Sequence, residues 1–108
     1  MTPKEIKDRV AHYYNTVRSM DAHAWVLNFD EKGILEDPVG SPVISGDREV
    51  LSQFFNTLVK TMFKKFDMHE QAVFAVQNGA AVKWVCEAMS HDETEITFEG
   101  ISIFAYNE

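Results

Sequence analysis

Leu35-Glu36-Asp37-Pro38-Val39-Gly40-Ser41 places a carboxylate directly before a proline, with apolar residues on both sides. Proline pushes the residue before it into extended geometry, which gives the Asp37 side chain a fixed direction of departure. Against an apolar wall a carboxylate loses hydration. Desolvation then lifts its pKa toward the range in which it serves as a base near neutral pH. The same residues also suit an Asp-Pro turn with a solvated side chain, and on this stretch alone both readings stand. Glu36 points the opposite way along the strand and is expected in solvent.

Upstream, Thr2-Pro3-Lys4-Glu5 reads as a capping box with proline at the first helical position. Ile6, Val10, Tyr13 and Val17 follow on one helical face, with Tyr13 near the centre of the stripe and Tyr14 on its flank. A second, short helix is predicted from Asp21 through Trp25 and Leu27 to about Phe29. Lys32-Gly33 ends it, and Ile34 to Asp37 reads as a short strand. A third helix is predicted from near Asp47. Its broad apolar face of Val50, Leu51, Phe54, Phe55, Leu58, Val59, Met62 and Phe63 suits a sheet. Lys60, Lys64 and Lys65 cluster at its predicted end, where they complement the helix dipole.

From about Phe66 the pattern changes to strands. One covers roughly Asp67 to Val76, and a turn at Gln77-Asn78-Gly79 leads to Ala80–Met89. Ser90-His91-Asp92-Glu93 turns into a last strand from Glu95 to Tyr106. Ile96, Phe98, Gly100, Ser102, Phe104 and Tyr106 share one parity there, so Ser102 points with the phenylalanines toward the helices. Helices first and a meander afterwards predict an α+β fold, with helices packed on one face of a curved antiparallel sheet.

With 108 residues the chain is expected to be one domain, residues 1–108. Hydrophobic residues make up 45%, including eight Phe, three Tyr and two Trp, enough for a core that also lines an apolar cavity. The net charge of −7 and the lack of a basic stripe argue against nucleic acid. A single cysteine, Cys86, excludes an intrachain disulfide and suits a reducing compartment; its mid-strand apolar setting reads as a small buried hydrophobe. No signal run or membrane-length apolar stretch is present, so a cytoplasmic protein without membrane partners is expected. His12, His23, His69 and His91 show no metal spacing, and no phosphate-binding loop or nucleophile elbow occurs. No cofactor and no metal are implied.

The order of elements, with Leu-Glu-Asp-Pro-Val-Gly-Ser after the second helix, resembles the ketosteroid isomerases. These belong to the nuclear transport factor 2-like superfamily, which also holds SnoaL-like polyketide cyclases and small dehydratases. The likeness runs from the first helix to the chain end. It is best at Glu36–Ser41, at Gly46, at Phe54, and at Ala75-Val76 with Asn78, Ala80 and Ala81. It implies a cone-shaped, cystatin-like α+β barrel with a deep apolar pocket. Residue by residue, Asp37 matches the general base of these enzymes and Tyr13 the main donor to the developing enolate oxygen.

Three departures follow. Ser102 stands where the family has a protonated Asp, and a serine hydroxyl is a far weaker acid. Losing one good oxyanion donor lowers rate by roughly two to three orders of magnitude. Phe55 stands where a tyrosine orients the catalytic one. The chain also ends at Tyr106-Asn107-Glu108, where the family adds a strand. That leaves an unpaired edge, expected from a shortened chain rather than from completion by a second copy.

The resemblance implies a steroid-delta-isomerase-like pocket protein. Asp37 would abstract a proton next to the carbonyl of a small apolar molecule, steroid-like or polyketide-like, with Tyr13 and Ser102 as donors. Phe54, Phe55, Trp84 and Phe104 are the candidate substrate contacts, although Phe54, Trp84 and Phe104 fit core packing better. Cyclisation and dehydration use the same proton abstraction, and some dehydratases of the superfamily pair an Asp with a His, for which His69, on one strand face with Asp67, is the candidate. The rival reading is a non-catalytic hydrophobic-ligand or dimerisation module of the same fold. In that rival the outer sheet face would make the dimer, and a homodimer is what the resemblance implies.

Overall fold

The computed structural model describes residues 1–107; Glu108 lies outside them. Three helices precede a three-stranded sheet. Helix α1 (Pro3–Ser19) starts with the capping box the sequence announces: Thr2 Oγ1 accepts the Glu5 N–H at 3.1 Å, and the Glu5 carboxylate accepts the Thr2 N–H at 3.0 Å. It ends at Met20 in the left-handed conformation, φ 57°. Asp21 caps α2 (Ala22–Val26) and Asp47 caps α3 (Arg48–Phe55), each carboxylate accepting two backbone N–H groups.

Two corrections concern the end of α3. The helix does not run on to Met62 but widens into a single π-helical turn, Asn56–Lys60. Strand β3 (Phe63–Val76) then begins several residues earlier than predicted, so Lys64 and Lys65 lie in a strand and not at a helix end. Period and propensity alone do not separate Phe63-Lys64-Lys65 from helix. Pairing of Phe63 with Ser90 and of Lys65 with Met89 does.

In the sheet, β3 pairs with the strand Gly79–Ser90, which in turn pairs with Glu95–Ala105, all antiparallel. A separate small hairpin joins Ile34–Leu35 to Ile44–Ser45. In chain order the strands are β1 (Ile34–Leu35), β2 (Ile44–Ser45), β3, β4 (Gly79–Ser90) and β5 (Glu95–Ala105). Asn78, φ 54°, supplies the left-handed residue of the β3–β4 turn. The sheet is curved and open rather than closed into a barrel, and among the described residues β5 has no neighbour on its far side.

The core forms where α1 lies across β3 and β4. Ile6, Val10 and Tyr14 meet Ala80 and Val82, while Trp25, Leu51, Phe55, Phe66, Cys86 and Ala88 form the second part. The buried stripe of α1 is thus Ile6, Val10, Tyr14 and Val17, with Tyr14 at its centre and Tyr13 on the flank, the reverse of the expectation. Adjacent helix positions differ by about 100°. A shift of that size is decided by which residue fits the sheet, not by spacing. Arg18 pins α1 to β3 through Nη1, which donates to the Met68 carbonyl at 2.8 Å and to Glu70 at 2.9 Å. No helix among the described residues is long and apolar enough to cross a membrane.

Candidate functional site

Asp37 sits just past β1, before a cis bond to Pro38. The residue as a whole is exposed, yet its carboxyl is sheltered enough that desolvation raises its pKa above the usual carboxylate range. Glu36, by contrast, is exposed and accepts the Gly40 N–H at 3.2 Å.

The segment carrying Asp37 is clamped at its base. Ile34 pairs with Ser45 and Leu35 with Ile44. Gly46 is buried against the Asp30–Gly33 turn: a Cβ there would lie 2.5 Å from the Asp30 carbonyl oxygen and 2.9 Å from that of Gly33. The far end of the last strand joins the same turn, Asn107 donating to the Asp30 carboxylate at 2.6 Å.

Tyr13 is partly buried, its ring meeting Phe104 edge-on at 4.9 Å, Tyr14 at 5.1 Å and Phe29 at 6.5 Å between centroids. Burial pushes its hydroxyl up to about 12. The nearby Trp25 indole N–H, a donor, offsets part of the rise, while the negative charge of Asp37 adds to it. The Asp37 carboxyl and the Tyr13 hydroxyl are thus within electrostatic reach of one another.

Ser102 lies on the inner face of β5, opposite Val82. Its Oγ accepts the Trp84 indole N–H at 2.9 Å. Phe104 meets both tyrosines of α1 edge-on and stacks on Tyr106. Phe54 is half-buried and stacks on Trp25 at 6.4 Å. Phe55 is only 3% exposed in the core and tilted against the same Trp25. His69 is exposed on the outer face of β3, between inward-facing Met68 and Glu70, so it is not brought to Asp37. Two clefts of about 500 and 400 Å³ flank the start of α3, away from Tyr13 and Ser102.

Sequence reasoning missed Trp25 and Tyr14. The sequence places Trp25 in the second helix, and only the α1–α2 packing links it to the Tyr13 hydroxyl. For Tyr14 a signal existed: it lies four residues after Val10 on the same face.

Solved structures share this architecture. SalBIII, described as an epoxide hydrolase/cyclase-like enzyme in pyran ring formation, superposes with a TM-score of 0.80 at 26% identity, over 94% of this chain and 80% of that one. A Delta 5-3-ketosteroid isomerase from Mycobacterium sp. gives 0.78 at 17% identity, over 100% and 86%. A Mycobacterium tuberculosis protein in complex with estradiol-17beta-hemisuccinate gives 0.76 at 15% identity, over the same shares. No curated protein matches the chain in sequence. Residues 10–108 match the model of the SnoaL-like domain, and with a nuclear transport factor 2-like fold around them, the chain belongs to the SnoaL-like domain family.

Proposed function

We propose that this chain is a cofactor-free enzyme of isomerase type, which removes a proton next to the carbonyl of a small apolar substrate. The observation that carries this reading is the pairing of Asp37, whose carboxyl is held above its ordinary range, with a tyrosine hydroxyl that feels its charge. The Asp37 carboxylate takes the α-proton. The C–H electron pair becomes the carbon–carbon double bond of a dienolate, and the charge collects on oxygen. Tyr13 and Ser102 donate hydrogen bonds to that oxygen. Asp37 then returns the proton to the γ-carbon, so the double bond moves into conjugation and nothing is gained or lost. Neighbours described as forming a pyran ring and as holding a steroid support a polyketide-like or steroid-like substrate. The single buried thiol fits a reducing, cytoplasmic setting.

The test is conversion of β,γ-unsaturated ketones, steroidal and small, to conjugated enones, followed by ultraviolet absorbance. Asp37→Asn is expected to lower turnover by roughly a hundredfold or more. Unchanged turnover overturns the reading.

Ser102, a weaker acid than a carboxyl group, favours the non-catalytic rival, in which the same pocket binds a hydrophobic ligand and releases it unchanged. Either way a homodimer is supported by the outer sheet face. Phe74, Val76, Ile101 and Ile103 are 62–71% exposed there, and the register sets Phe74, Ala81 and Ile103 side by side. Sedimentation should show a dimer that Ile103→Glu dissociates; a monomeric wild type rejects it.

A further inference from the structure

The hydroxyl of Tyr14 is the one buried side-chain polar atom among the described residues without a hydrogen-bond partner, on a residue that is 0% exposed. Such an atom calls for an explanation, because leaving it unpaired costs more than an ordinary hydrogen bond returns. Ser102 stands beside it, close enough that the serine hydroxyl counteracts part of the burial-driven rise in the Tyr14 pKa. The same serine oxygen already accepts from Trp84. Trp84 is held in place in turn, since its ring lies across Gly100, its cross-strand partner.

A serine oxygen has two lone pairs and one proton. With one lone pair taken by the indole N–H, a second donor on the other leaves the hydroxyl able only to donate. Tyr14 supplies that donor: its hydroxyl is unpartnered, has a proton to place and stands beside Ser102. We propose that Trp84 and Tyr14 together make Ser102 a donor-only hydroxyl, whose proton is directed to an anionic oxygen of the ligand. Tyr14 and Trp84 are positioning residues here, and only Ser102 touches the ligand. Hydrogen bonds in series polarise one another, so a serine fed by two donors gives a stronger bond than a serine alone. That compensates part of what a carboxylic acid would supply. The inference rests on the proposed oxyanion site, because the ligand oxygen it serves is the one Tyr13 faces.

The experiment has a ligand-free arm and a binding arm. In the first, the indole N–H resonance of Trp84 is assigned with Trp84→Phe and followed in Tyr14→Phe. The expected result is a shift of the Trp84 signal with the Trp25 signal unmoved. No shift overturns the proposal. In the second, para-nitrophenolate is the oxyanion probe and para-nitroanisole its uncharged control. Tyr14→Phe should weaken phenolate binding about threefold to tenfold and leave anisole binding unchanged. In a Ser102→Ala background the Tyr14 change should add nothing. Equal losses for both probes, or additive losses, overturn the proposal in favour of a packing role. A wild type that binds no phenolate while its Trp84 signal still responds upholds the arrangement around Ser102 and rejects the oxyanion site itself. Tyr14→Phe and Ser102→Ala each remove one oxygen, and near-ultraviolet circular dichroism confirms that the fold is kept.

Discussion

Trp84 and Gly100 face each other across β4 and β5, and the indole ring occupies the volume a side chain at Gly100 would need: a Cβ built there would lie 2.5 Å from Cζ2 of the tryptophan. The glycine is therefore a seat for the ring and not a turn residue. The seated ring is the one that reaches Ser102.

Gly100→Ala is accordingly expected to displace the indole and to destabilise the fold by about 1–3 kcal/mol, the usual range for overpacking a filled site. Chemical denaturation gives the loss, and Trp84 fluorescence reports the displacement. An alanine variant of wild-type stability with unchanged emission removes the steric argument.

The pH dependence of Asp37 follows from its raised pKa. In the folded state its proton is held to a higher pH than in the unfolded chain. As pH rises from the ordinary carboxylate range through the folded value, the unfolded state loses this proton first and the contribution of Asp37 to stability falls. Asp37→Asn should flatten that part of the stability–pH curve and leave the remainder in place. In the active protein the acidic limb of kcat/KM should lie above the usual Asp range. A limb at the ordinary value contradicts a sheltered base.

Cys86 is fully buried, and burial pushes its thiol up to about 12. Almost no thiolate exists at neutral pH, and no reagent reaches it in the folded state. Labelling by a disulfide reagent should be negligible in native protein and complete in denaturant. Fast native labelling contradicts the packing described for β4.

Arg18→Met removes both hydrogen bonds from α1 to β3 and leaves Glu70, with only 20% of its side chain exposed, without its cation. A loss of about 1–3 kcal/mol is expected, because two hydrogen bonds and the cation of a part-buried ion pair go together. Chemical denaturation of the variant beside wild type checks it, and an unchanged stability contradicts the pinning role.

The features legible in the sequence were those set by neighbours along the chain. Thr2 with Glu5, Asp21 and Asp47 each satisfy N–H groups two or three residues away, so their spacing alone places three helix starts. The β3–β4 turn was equally local. What escaped was settled at longer range. Phe63 to Phe66 becomes strand because β4 pairs with it, and Tyr14 rather than Tyr13 faces the sheet because α1 lies on β3 at one rotation out of several. At the candidate site, Asp37 and Tyr13 enter as candidates through the resemblance. The Trp84–Ser102 bond was not legible, since it joins side chains on two strands 18 residues apart.

The clamp beneath Asp37 divides the labour of the chain. Gly46, the Asp30–Gly33 turn and Asn107 hold the base of the excursion, and the two-residue pairing of β1 with β2 closes it. Val39 and Val43, 84% and 55% exposed, lie beyond that closure and contribute to none of it. Variation at the tip is thereby insulated from variation in the scaffold. Residues 39–43 can therefore be exchanged, lengthened or shortened while the carboxylate keeps its footing and the scaffold its stability.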